Sequence, residues 1–445
     1  MKKHKLFGTL IILLALCLAG QAFAGGGGQQ PASQPQAAKG PVTITFTNWV
    51  SVEAGTQAPM IAMMEAFQKA NPDIIIKNQG IAVSDIVKEL TIMSAAGNSP
   101  DVSQLHNDNV TQFKSAGFLT ALDGLLSRDF VNDLYPDVYD ALGLIDGKHW
   151  AVPWTNTTCG LLYNRKLMVQ AGLDPNKPPK TIEELTEMMR IAKKKLPNDI
   201  VILQADTTVR TIGLRHQWPF MLAFNNGVQP YSLDGKVNYN TPGMKAYMEW
   251  IRMLVAEGLT LPGMRYGQFR PYGAQGKLLF GNDGAYFDGL IRALDETKKL
   301  TPEIVYETYG ATVLPARAAD GKYRTPVESH TLVMFESSKN KSAVVKFMEY
   351  VVGSQWSIEN YIAPQSFTPV TKSAFAKAPA FENNKFVASF IKDVVPSSVA
   401  MPANEDFNSF AEIIMTGVQQ AITTNNSIDA ILADGQKKLE ALFKK

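Results

Sequence analysis

The chain has 445 residues, with 43 Lys and Arg against 41 Asp and Glu and a formal net charge of +2. That balance excludes a generally basic nucleic-acid binder, which needs surplus cations to neutralise phosphates, and a composition 45% hydrophobic and 19% charged excludes a largely disordered chain. Two cysteines exclude a disulfide scaffold, five histidines leave little for a metal site, and the length suits roughly two or three domains.

Residues 1–24 read as a secretory leader. Lys2, Lys3 and Lys5 precede an apolar stretch from Leu6 to Leu18, and Ala22-Phe23-Ala24 supplies small residues at the −3 and −1 positions of a cleavage site. The stretch falls short of the ~20 residues that span a bilayer. Cys17 offers an alternative, lipid anchorage, although the bulky Leu16 before it fits that processing poorly. Residues 25–40, rich in Gly, Gln, Pro and Ala, predict a flexible tether. The expected location is periplasmic or extracellular.

In the remaining chain Val42–Thr47 alternates as a strand does, and Met60, Met63, Met64 and Phe67 mark one face of a helix over Pro59–Ala70. Ile74-Ile75-Ile76 predicts a buried strand. Ile86, Leu90 and Met93 mark a second helix, and Asp101–Leu105 a third strand. This alternation argues a parallel sheet. It resumes with a strand at Leu161–Tyr163 and a helix opened by the capping box Thr181-Ile-Glu-Glu184. Further helices are expected over Met244–Ala256, Ala343–Val352, Phe410–Ala421 and Ile428–Leu442, and a strand over Glu328–Phe335.

Motifs for common chemistries are missing. Gly273-Ala-Gln-Gly-Lys277 has the wrong spacing for a phosphate loop, and no Gly-x-Gly-x-x-Gly follows a strand. Neither His-Glu-x-x-His, Cys-x-x-Cys nor Gly-x-Ser-x-Gly occurs. The expectation is no enzyme, no cofactor and no metal. Carboxylates are plentiful, so an exported glycoside hydrolase stays open as an alternative.

Several stretches together resemble the extracellular solute-binding proteins of ABC importers, specifically the carbohydrate-type family 1 that includes maltose-binding protein. They are Pro100-Asp-Val102 with Gly117–Asp123; Trp150-Ala-Val-Pro153 with Leu161–Lys166 and Pro178–Leu185; Gly276–Gly281 with Gly284–Gly289; and Tyr309–Pro315 with Ser337-Ser-Lys339. The resemblance implies an α/β, two-lobed periplasmic-binding-protein fold of type II. Each lobe would be a mixed, mainly parallel sheet flanked by helices, with a ligand cleft and hinge between lobes. Lobe one would hold 41–153 and 316–354, lobe two 159–311 and 357–445, and the chain would cross at 154–158, 312–315 and 354–356. The implied partners are a small solute, mono- or short oligosaccharide, and the membrane subunits of an ABC permease, with no nucleic acid; the chain itself would be monomeric.

A sugar cleft needs aromatic faces for CH stacking and side chains that pair with hydroxyls, placed beyond the carboxyl ends of strands. Asn48, Trp49 and Glu53 follow the first strand, where Trp49 is either a stacking platform or a plug over the core. His106, Asn107 and Asp108 follow the third; the resemblance implies polar ligand contacts there, with local loop bonding the alternative for His106 and Asn107. Trp154, Asn156 and Thr157 lie on the first crossover. Arg215 and His216 open a helix-like segment; Arg215 is suited to hydroxyls, a carboxylate or a phosphate, or else to a surface salt bridge. Phe287 and Asp288 sit at a strand end and Gln365 near the same opening. Where many sugar binders have Gly-Pro-Trp, this chain has Gly289-Leu290-Ile291. Fewer stacking platforms argue against a long maltodextrin and for a mono- or disaccharide or a phosphorylated polyol held by Arg215. An organic anion or polyamine is the other alternative.

Overall fold

A computed structural model describes residues 40–317, 321–378, 380–399 and 401–444. The leader, the Cys17 alternative and the tether up to residue 39 lie outside the described residues.

Strand Val42–Asn48 pairs in parallel with Ile74–Gly80 on one side and Val102–His106 on the other. Helix Gln57–Ala70 buries the four residues that the periodicity marks, Met60, Met63, Met64 and Phe67. Ile74–Gly80 differs from expectation. It forms the outer edge of the sheet, so only Ile74 is buried and Ile75 is 45% exposed. The β-branched run reports strand propensity, which edge and central strands share.

Two long strands cross the molecule. Val152–Asn164 is a single 13-residue strand where the sequence suggests a crossover followed by a short strand. Its first half pairs antiparallel with Thr325–Met334, up to Thr158 opposite Val327. Its second half, from Cys159, pairs antiparallel with Leu278–Gly284 and Tyr309–Thr312. Thr325–Met334 also pairs antiparallel with Val102–His106, and Leu278–Gly284 in parallel with Val201–Leu203. The result is one mixed sheet path carrying separate cores.

The first core gathers Phe46, Met63, Leu105, Val333 and Phe347. The second gathers Leu161, Trp218, Leu279, Ile414 and Leu432, and a third holds Leu162, Leu278 and Phe287. Leu161 and Leu162 go to different cores because neighbouring strand residues point to opposite faces. Ile358, Tyr361, Ile362, Phe367, Val370 and Phe381 pack in the first core. This part of 357–445, expected in lobe two, thus packs with the first core, as do Tyr286 and Leu290. Phe386, Val387, Phe390 and Val394 join the third core, and helices Phe407–Thr423 and Ile428–Leu442 the second. An apolar segment can cover either core, and sequence spacing does not say which.

Other elements form as their local signals require. Thr181 Oγ1 accepts from Glu184 N at 3.1 Å, and Glu184 Oε2 accepts from Thr181 N at 3.3 Å, so the capping box closes. Helix Thr211–Phe224 is buried on every side from Ile212 onward, and its polar Arg215 and Gln217 are hydrogen-bonded inside.

Candidate ligand cleft

The cavity lies where the first core meets the helix Thr211–Phe224 of the second core and the segment around Phe269 of the third. From the first side come Trp49, Glu53 and Thr56 in the loop after the first strand, His106 at the end of the third, His330 and Phe367. From the other come Ile212, Tyr266 and Arg270; Tyr286 and Leu290, which follow strand Leu278–Gly284 and pack into the first core, complete the lining. The cavity they enclose is about 40 Å³, room for about three water molecules at the roughly 10–15 Å³ each requires.

Rings form its walls. Trp49 stacks on His106 with centroids 4.7 Å apart and meets His330 edge-on at 4.9 Å. At 2% exposure Trp49 belongs to the first core, and it also lines the cavity. Across the cleft Tyr266 stacks on His216 at 3.7 Å, and its hydroxyl contacts Asp283 and, at 2.8 Å, the Tyr286 hydroxyl. His330 faces His106 because their strands pair antiparallel with these residues in register.

The cleft's charges are paired. Arg215 donates through Nε and Nη2 to the Asp108 carboxylate, with the two side chains only 3% and 7% exposed. Arg270 Nη1 donates to Glu53 Oε1 at 2.6 Å and Nε to Asp283 Oδ2 at 3.3 Å. At the rim Arg210 Nη1 donates to Asp85 Oδ1 at 3.1 Å and to the Ser84 carbonyl at 3.0 Å. Each guanidinium in these three sets belongs to an element of the second side, and Asp108, Glu53 and Asp85 to the first.

Burial holds the imidazoles in their neutral forms. His216 and His330 are each pushed down to about 3, by burial first and then by the nearby guanidinium charges of Arg215 and Arg270. His106 is also lowered well below the ordinary histidine value, by burial first and then by Arg215. Burial pulls against the charge on Arg270, but Asp283 and then Glu53 more than offset it.

Of the residues read from sequence, Trp49, Glu53 and His106 line the cavity. His216 backs Tyr266. Asp108 and Arg215 meet each other in a buried salt bridge, where the alternative to a ligand contact for Arg215 was a surface one. Asn107 Oδ1 accepts from Ser329 N at 3.0 Å and borders, with Asp108, a neighbouring opening of about 310 Å³. Others stand apart. Asn48 closes its own loop, donating to Asn78 Oδ1 and accepting from Ser51 N. Trp154 stacks on Tyr361 at 5.5 Å in the first core. Asn156 and Thr157 lie in the long strand, opposite Ser329 and residue 328. Phe287 is packed in the third core. Asp288, wholly buried, accepts from Arg292, Ser366 Oγ and Asn384 Nδ2. Gln365 Nε2 donates to the Gly55 carbonyl at 3.3 Å.

Sequence reasoning missed Tyr266, Arg270, Tyr286, His330 and Phe367. One signal was available: Arg265-Tyr-Gly-Gln-Phe-Arg-Pro-Tyr272 crowds aromatic and arginine residues into a stretch punctuated by Gly and Pro, a composition suited to a binding loop.

The model of the bacterial extracellular solute-binding protein family matches residues 51–358. The chain belongs to this family. A binding protein of Brucella abortus is 23% identical to this solute-binding protein over 86% of the chain and 89% of its own length. The maltotriose-binding protein of Pyrococcus abyssi is 23% identical, covering 89% of the chain and 80% of its own length. Among solved structures, a Thermotoga lettingae ABC transporter solute-binding protein bound with α-D-tagatose superposes with a TM-score of 0.78 at 20% identity, over 91% of this chain and all of that one. The solute-binding protein therefore has the two-lobed fold of the maltose-binding type.

Proposed function

We propose that the protein captures a carbohydrate-class solute, a mono- or short oligosaccharide, between its lobes, leaves it chemically intact and delivers it to an ABC permease outside the cytoplasmic membrane. The observation that carries this reading is the pairing, in one cavity, of aromatic faces (Trp49, Tyr266, Tyr286) with groups of opposite hydrogen-bonding sense, Glu53 and Arg270. Sugars present apolar CH faces and hydroxyls that donate and accept, so such a mixture suits them. The similarity to a maltotriose-binding protein and to a tagatose-bound structure supports the same class.

The cleft as described is too tight for a sugar ring, so entry requires the lobes to part. Hinge motion about the crossing strands is the proposed route. The lobes would divide where Val152–Asn164 exchanges partners, between Thr158 and Cys159, and again near 312–315, with Ile358–Phe381 in lobe one. A solute touching both lobes favours closure because only the closed form makes both sets of contacts. The leader and tether would place the chain outside the cell membrane.

Native mass spectrometry of freshly purified protein, followed by isothermal titration with the sugar identified, tests the reading. A retained sugar that binds and is recovered unchanged after long incubation is expected. Turnover of the sugar, or binding only of amino acids or polyamines, would refute it.

A further inference from the structure

The interlobe charges centre on Arg270. The residue is 6% exposed, and its guanidinium lies over the rings of Tyr266 and Tyr286 at 4.8 and 5.4 Å. Asp283, wholly buried, is committed: it accepts from Arg270 Nε, from the Tyr266 hydroxyl and from Gly284 N. Glu53 differs. Its side chain is 29% exposed, and one oxygen, Oε1, takes Arg270 Nη1. Among the described residues no protein partner meets Glu53 Oε2 or Arg270 Nη2, and both side chains line the cavity.

Arg215, the other buried guanidinium, has Nε and Nη2 on Asp108. The surrounding imidazoles, neutral as described above, add no positive charge. A carboxylate only accepts and a guanidinium only donates. A hydroxyl does both, so a sugar hydroxyl, or two adjacent ones, can give to Glu53 and take from Arg270. A phosphate or carboxylate can satisfy Arg270 but brings like charge against Glu53 in a site largely shielded from water, where such repulsion is weakly screened. Closure makes this worse, because it is closure that brings Glu53 onto Arg270.

We propose that Glu53 and Arg270 form a charge-matched clamp that admits uncharged, hydroxyl-bearing solutes and turns away phosphorylated and carboxylated ones, with Glu53 the discriminating residue. The clamp deepens, and in its solute class rests on, the carbohydrate reading. It weighs against a phosphorylated polyol as the solute.

The test titrates the full chain and Glu53→Gln with inorganic phosphate, glucose 6-phosphate and the neutral sugars tagatose and maltotriose, with melting curves to confirm folding. Glu53 is partly exposed, so the amide variant is expected to fold. The wild type should prefer a neutral sugar over glucose 6-phosphate. Glu53→Gln should bind inorganic phosphate at least about tenfold more tightly than the wild type, because the cavity-facing one of Arg270's two carboxylate partners becomes neutral. Glucose 6-phosphate bound by the wild type as tightly as a neutral sugar, or phosphate affinity unmoved by Glu53→Gln, would overturn the clamp. If neither neutral sugar binds while phosphate still gains tenfold in the variant, the clamp stands and the carbohydrate reading loses its support.

Discussion

The Asp108–Arg215 pair offers the sharpest test of how the lobes are held. Both side chains are less than 10% exposed, and two guanidinium nitrogens meet the carboxylate. At about 4 Å and an effective dielectric of about 20, such a pair attracts by about 4 kcal/mol. Asp108→Asn removes that attraction and leaves the buried Arg215 with the Asn109 amide oxygen but without this carboxylate; breaking a buried pair costs about 3–5 kcal/mol when the charge has no escape. Here it has one. Asp108 stands on a helix of the first core, Arg215 on a helix of the second, so opening the cleft lets Arg215 hydrate. The penalty then falls on closure and not on folding. A loss of about 3 kcal/mol in closure corresponds to roughly 150-fold weaker solute binding. We expect Asp108→Asn to expand the protein in small-angle scattering and weaken binding by one to two orders of magnitude or more, with little change in melting temperature. The double variant Asp108→Leu with Arg215→Met should recover much of the compaction, because it removes both charges of the pair. A large drop in melting temperature with unchanged affinity would refute the reasoning and make the pair a folding element.

Other outcomes follow from the same geometry. Keeping His216 and His330 neutral, each near 3 in the closed form against about 6.5 when solvated, makes the open or unfolded chain bind more protons at acid pH. Their contribution to stability is therefore full above about pH 6.5 and lost as pH falls from there toward 3; melting curves from pH 7.5 to 4 should show the decline, and His330→Gln should flatten it. Asp288→Ala removes an acceptor shared by Arg292, Ser366 and Asn384 and should destabilise by about 1–3 kcal/mol without changing solute affinity; an affinity loss at unchanged stability would return Asp288 to the binding residues. Gly289→Ala would bring a Cβ within 2.5 Å of the Gln365 backbone, so denaturant melts should show a loss of about 1–3 kcal/mol.

Much of the local structure is written in the sequence. Met60, Met63, Met64 and Phe67 mark the buried face of their helix, and Thr181 and Glu184 cap theirs, because helix period and capping depend on residues within a turn or two. The family motifs and the placement of Trp49, Glu53 and His106 beyond strand ends were legible for the same reason: each needs only a short stretch of chain. The partners of those residues were not. Arg270 lies 217 positions from Glu53, and Arg215 lies 107 from Asp108. His330, in mid-strand, reaches the cleft only because its strand pairs antiparallel with the third in that register. Periodicity tells which face of an element seeks cover, but not which distant element covers it. That choice is made when the long strands cross between the cores, and it turns separate charges along the chain into the pairs that close the cleft.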